Sequence, residues 1–446
     1  MEDQEQINFF TLEYGDQVRE QAEYALAYLR HFESVIQNPT NIRVFPRIQE
    51  YEQSIRAAIE RITLLQLDWL GGRTNDRLIE TARETEAYLF FELNRFLKEL
   101  EDLISERTGS RFPIFEHLSK IGLKDVSSSV QNAMDNALHF FMKCYFGASF
   151  RATFACMTEV DRDFRIRPIE LHRRGILTVD VPQVELTRTR LWSGLAHEAA
   201  HHRLRMIQEF PPAGGMEALD HLFHEVPEAL EEIGWTYVRK RQKCPETVEA
   251  LSRMQFFEML ADIGSTIVIG PESLFGLLCY NPPVAEHRFT THPPLAVRVD
   301  YLFGLLERIG GPTLAEVLRD LKRAWNDYHQ HFGRDKTHRE FVDQYLGVLR
   351  PRYESLFSVG RSIVAASEND VFNTTSYKKV SEAAERKKLE NLGIVELLNV
   401  PLYRRWSTYR EMVENRRNPV LSRAYEMHEN RLTRLIVKQL TKLHRT

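Results

Sequence analysis

Two histidines four residues apart flank an acid in the run His197-Glu198-Ala199-Ala200-His201. Side chains at i and i+4 lie about 40° apart around a helix, so both rings reach one point only if this segment is helical. Glu198 then sits beside the same point, where it can act on a water. A cation shared by two helical histidines needs a third protein donor and one open position. The helix must therefore pack against another element that brings an acid to it. No other feature of the 446 residues restricts the fold as much.

Glu258-Met259-Leu260-Ala261-Asp262 meets that demand, because Glu258 and Asp262 again share a helix face at i and i+4. Glu258 is expected to be the third ligand. Asp262 is expected to accept a hydrogen bond from the distal ring nitrogen of His197, fixing its tautomer. Asp220, 19 residues after His201, is the second candidate, although His224 stands where a supporting acid would follow it. A longer three-histidine motif is excluded, since Leu204 and Ile207 occupy the positions that need Gly and His. The run His224-Glu225-Val226-Pro227-Glu228 begins like the motif but ends in Glu228. His202 lies about 100° round the helix from His201 and is expected to pack elsewhere.

A third piece follows, Thr291-His292-Pro293-Pro294 and then Arg298. In order and spacing, with 56 residues between His201 and Glu258, the three pieces resemble the gluzincin metallopeptidases of the HtpX and CAAX prenyl protease group. The resemblance covers roughly 150–310 and implies a zincin-like core binding Zn2+ through His197, His201 and Glu258. It further implies that His292 lies near the metal and donates to the oxyanion, with Arg298 supporting the site. In such enzymes an edge strand ahead of the motif helix pairs with an extended substrate. The short β-branched run from Gly175 to Val181 reads as that strand, which places Leu177 and Val179 at the substrate. One departure is large: the enzymes resembled are membrane-embedded. Here the most apolar stretch, Ile263 to Tyr280, is broken by Gly270-Pro271-Glu272 and makes a poor span.

The rest of the chain reads as helical. Ile48, Tyr51, Ile55, Ala58, Ile62, Leu65 and Trp69 recur at spacings of three and four, between Pro46 and the pair Gly71-Gly72. Further helices are expected over 187–207, 216–243, 245–269 and around Arg298, and again from 311 onward. The segment 216–243 is the nearest candidate lid. The polar run 369–376 reads as a linker. The expected fold is thus mainly α with a small β-sheet. It comprises an N-terminal helical domain (1–144), a gluzincin-type zinc metallopeptidase domain (145–325) and a C-terminal helical domain (326–446).

Four cysteines without a CxxC pair suit a reducing compartment, and the acidic N-terminus is unlike a secretory signal. A cytoplasmic protein that does not act at membranes is expected. The formal charge of -4 gives no reason to expect nucleic-acid binding. Residues 401–446 carry 11 Lys/Arg against 4 Glu, either a solvated face or a docking surface for an acidic partner. The expected activity is zinc-dependent endopeptidase cleavage of protein or peptide substrates by Glu198-assisted attack of zinc-bound water. The helical flanks gate the site or receive a regulatory protein partner. The alternatives are a non-catalytic helical interaction protein with a structural metal site, and an aminopeptidase.

Overall fold

The computed structural model describes residues 9–35, 45–70, 77–93, 95–96, 127–147, 153–159, 165–167, 176–182, 192–209, 217–238, 245–280, 289–332, 336–386, 389–415 and 435–442. Three N-terminal helices come first: α1 (Phe9–Val35), α2 (Phe45–Leu70) and α3 (Arg77–Tyr88), the last running on into a π-helical turn, Leu89–Leu93. The α2 stripe behaves as its spacing predicts. Ile48, Ile55 and Ile62, seven residues apart, are fully buried, each stabilising the hairpin by about 1.5–3 kcal/mol. Tyr51 stacks on Phe96 with ring centroids 4.5 Å apart. Gly71-Gly72, where the sequence places the end of this helix, lie outside the described residues.

After α4 (Ser127–Phe146), the backbone forms three short strands: β1 (Thr153–Glu159), β2 (Arg165–Arg167) and β3 (Ile176–Pro182). The site helices follow: α5 (Ser193–Glu209), α6 (Glu217–Val238) and α7 (Pro245–Ile269), then α8 (Pro271–Tyr280) and α9 (Leu295–Ile309). The chain continues through α10 (Gly311–Phe332), α11 (Lys336–Leu349), α12 (Tyr353–Ser362), α13 (Thr374–Arg386) and α14 (Ile394–Asn415), with a last helical stretch over 435–442.

The expected fold class needs correcting in its sheet. The part of the chain whose side chains are described is 90% helical and contains no strand. Every described core residue, and every described side chain of the centre below, comes from a helix or from a short connection between helices. These residues are thus mainly α, as expected, and the small sheet is not among them. The physical reason is that two facing helices already bring the donors together, and neighbouring helices seal them. The strand order is β1-β3-β2, with β1 and β3 parallel and β2 and β3 antiparallel. This places β3 in the middle. Val179 is paired with Cys156 on one side and Ile166 on the other. The strand expected to offer a free edge thus has both edges taken around Val179, while Leu177 is paired with Phe154.

Helix α7 is the axis of the molecule. It touches α5, α6, α8, α9, α12 and α14, and its C-terminal half, 259–269, is buried throughout and largely apolar, as a helical segment enclosed on all sides must be. Val248, Phe256, Leu260, Ile263 and Val268 are all fully buried. Helix α12 crosses it closely at Gly360, where an added Cβ would come within 2.1 Å of Ile263. One hydrophobic cluster includes Phe9 of α1, Leu260 of α7, Tyr345 of α11, Leu398 of α14 and Leu440. The three expected segments therefore share a core. A buried ion pair between Glu13 of α1 and Arg405 of α14 ties the flanks to each other.

Two other expectations change. Helix α6 is not a loose cover: Val226 and Leu230 are fully buried, and Glu225 is held by Arg352 at 2.9 Å. The run 369–376 is a pinned corner, because Val371 and Phe372 inside it are buried. The Phe372 backbone N–H donates to Val268 O at 3.0 Å, and Asn373 Oδ1 accepts from the N–H groups of Thr375 and Ser376 to cap α13. The same corner packs on Gly270, which ends α7 at φ +89°, with its N–H bonded to Thr266 O. A Cβ there would lie 2.3 Å from the Phe372 ring. Gly270→Ala should cost on the order of 3 kcal/mol, from backbone strain and the displaced ring together. Denaturant unfolding measures this, and a variant as stable as wild type would contradict the corner described.

Candidate metal centre

Helices α5 and α7 pack face to face, and each contributes the residues that its spacing aligns. From α5, His197 and His201 point to one place, with Nε2 atoms 3.0 Å apart and ring planes at 82°. From α7, Glu258 reaches both: Oε2 lies 3.2 Å from His197 Nε2, and Oε1 lies 3.3 Å from His201 Nε2. These separations can be compared with what zinc would require. Tetrahedral coordination with bonds of about 2.0–2.1 Å sets neighbouring donor atoms about 3.3 Å apart. The three donors are spaced for one small cation. A carboxylate oxygen of Glu198 lies within 4.8 Å of the histidine donor atoms, beside this point.

The surroundings lock the donors in place. Asp262, one turn beyond Glu258 and buried, accepts from His197 Nδ1 at 3.1 Å. It also accepts two bonds from Arg298 of α9, Nε to Oδ2 and Nη2 to Oδ1, both at 2.7 Å. Tyr301, one turn further along α9, donates to Oδ2 at 2.6 Å. Because a carboxylate only accepts, His197 carries its hydrogen on Nδ1 and aims Nε2 at the cation position.

Charge explains the protonation pattern of the centre. Burial works against a charged His197 ring, yet hydrogen bonds to Asp262 and Glu258 outweigh it and raise its pKa to about 10. Burial would lift the Glu258 carboxyl, but hydrogen bonds from His197, His201 and His292 hold it well below the usual carboxylate range. Asp262 is likewise held low against burial, chiefly by the Arg298 guanidinium and then by His197.

His292 is half exposed, and its Nε2 lies 3.1 Å from Glu258 Oε2. Thr291 Oγ1 lies 2.9 Å from its other nitrogen. The structure thus brings His197, Glu198, His201, Glu258, Asp262, His292 and Arg298 together. It places Leu177 and Val179 on the central strand. The side chain of Asp220, the second candidate ligand, lies outside the described residues. His202 turns away and its ring packs 5.5 Å from that of Phe146. His224 is exposed on α6.

Three contributors escaped the sequence reading. Tyr301 stands three residues after Arg298, and Gln255 three before Glu258, so helical spacing from a known site residue would have found both. Tyr345, on α11, carries no such signal. No family model, curated protein or solved structure matches the chain. Among the described residues, no helix is long and apolar enough to cross a membrane.

Proposed function

We propose that this chain is a zinc-dependent endopeptidase of gluzincin type, acting on protein or peptide substrates. The observation that carries the reading is the trio of donors at 3.0, 3.2 and 3.3 Å, with Glu198 beside it and Asp262 behind His197. Two imidazoles and one carboxylate are the donor set of catalytic zinc sites, which keep one position open. The bound cation would polarise a peptide carbonyl and acidify water next to it. Glu198 takes the proton from the attacking water on its carboxylate and hands it to the leaving amine. His292 directs its Nε2–H into the site and donates to the developing oxyanion. Asp262, Arg298 and Tyr301 keep the His197 ring from turning during turnover.

Elemental analysis of the purified protein should find one zinc per chain, removable by chelator. A peptide blocked at its N-terminus should be cleaved internally by the zinc form and left intact by the chelated one. Failure of the zinc-loaded protein to cleave either blocked peptides or unfolded proteins would overturn the proposal.

The His197 proton gives a pH test. Below about 10 the ring is charged in the metal-free protein, so a cation must displace that proton. Apparent zinc affinity should fall about tenfold for each pH unit lowered from this ring alone. Chelator competition at several pH values reads the slope, and a flat profile would exclude His197 as a ligand.

A further inference from the structure

The 289–294 connection that carries His292 is held by a chain of hydrogen bonds reaching into the C-terminal helices. Tyr345 of α11 donates from Oη to Gln255 Oε1 at 3.1 Å, and both side chains are fully buried. With its oxygen so engaged, the Gln255 amide presents Nε2 to the connection. It donates to Thr290 O at 2.7 Å and to His292 O at 3.4 Å. Thr290 Oγ1 donates to the same His292 carbonyl at 3.0 Å. Phe289, at the start of the connection, stacks on the Tyr345 ring with centroids 6.3 Å apart. At the far end, Pro294 O accepts from the N–H of Arg298 as α9 begins.

The ring has its own guide. Glu258 Oε2 faces His292 Nε2 and can only accept, so that nitrogen bears the hydrogen. With the Nε2–H turned to Glu258, Nδ1 is the ring's acceptor atom, and Thr291 Oγ1 faces it at 2.9 Å.

We propose that Tyr345, Gln255 and Thr291 are positioning residues for His292: the first two fix its backbone, and Thr291 fixes its tautomer. Their effect on catalysis rests on the reading of His292 as the oxyanion donor, whereas their effect on the ring does not. On this account α11 is part of the active site's frame, although none of its residues is a ligand. None of these bonds involves a side chain of His197, His201 or Glu258.

The test uses Tyr345→Phe, Gln255→Met and Thr291→Val in the full-length protein. Each removes hydrogen-bonding atoms while nearly keeping volume, and Thr291 is only partly buried, so its variant should fold even if the buried ones do not. Zinc affinity, measured by chelator competition, should stay within about twofold of wild type, because no ligand is touched. In protein labelled with 15N-histidine, the His292 ring signals, identified by their loss in His292→Asn, should show a single Nε2–H form in wild type. They should become a mixture of the two tautomers in Thr291→Val, and broaden or shift in the two buried variants. With a blocked peptide, kcat should fall about tenfold or more in each variant at nearly unchanged KM. His292 signals and kcat at wild-type values in all three variants would overturn the proposal. A wild type that cleaves nothing would defeat the functional reading alone, and the ring signals would still decide the positioning.

Discussion

Glu198→Gln should lower peptide cleavage by about 10³-fold or more, within or beyond the range typical for removal of a general acid–base group, while zinc stays bound. The substitution changes one atom and keeps the shape of the side chain, but an amide cannot take a proton from water or return it to the amine. The three donors proposed to hold the cation, His197, His201 and Glu258, are unchanged, so zinc content and affinity should match wild type. That combination separates a base from a ligand. A Glu198 that bound the cation would show reduced affinity on substitution, since its oxygen lies near enough to the ring nitrogens to be considered for that role. Elemental analysis and initial rates with a blocked peptide give both readings from one preparation. Full activity in Glu198→Gln would exclude Glu198 as the proton carrier, and loss of zinc would recast it as a donor.

The centre was legible because its chemistry is written in helical spacings. His197 and His201, and Glu258 and Asp262, are each four apart, and the structure places both pairs on facing helices with α7 starting and ending at the residues its pattern predicts. The resemblance to known metallopeptidases pointed to His292 and Arg298, which stand at Glu258 and Asp262. What the sequence concealed depends on packing between distant segments. Tyr345 reaches Gln255 across 90 positions, and a tyrosine on an apolar helix face reads as core until its hydroxyl partner is known. The β-branched run near Leu177 signalled a strand, but strand order depends on partners that have no local signature, so a strand expected at an edge lies in the middle. The polar run around Asn369 resembled a linker because polarity dominated the window. Its two apolar residues, Val371 and Phe372, are what fasten it to the core.

Asp262→Asn should cost the protein both stability and zinc affinity. The two oxygens of Asp262 accept two bonds from Arg298, one from Tyr301 and one from His197. An asparagine keeps one oxygen and replaces the other with an NH2 group, which must face a donor, either the guanidinium or the His197 N–H. Arg298 is then left charged and buried without its counter-ion, and breaking such a pair costs about 3–5 kcal/mol. His197, no longer held by an acceptor, loses the preference that aims Nε2 at the cation, for which about 10–100-fold weaker zinc binding is expected. Denaturant unfolding in the presence of chelator isolates the first effect, and chelator competition measures the second. The pH dependence follows from the depressed pKa of Asp262. Its stabilisation is present above the unfolded carboxyl's ordinary value and is lost as pH falls through the lower folded one, so the gap between wild type and variant should close in acid. Pairing the change with Arg298→Met removes the stranded charge and should recover part of the lost stability but none of the zinc affinity. An Asp262→Asn protein that matched wild type in both measurements would mean that Asp262 neither balances Arg298 nor steers His197.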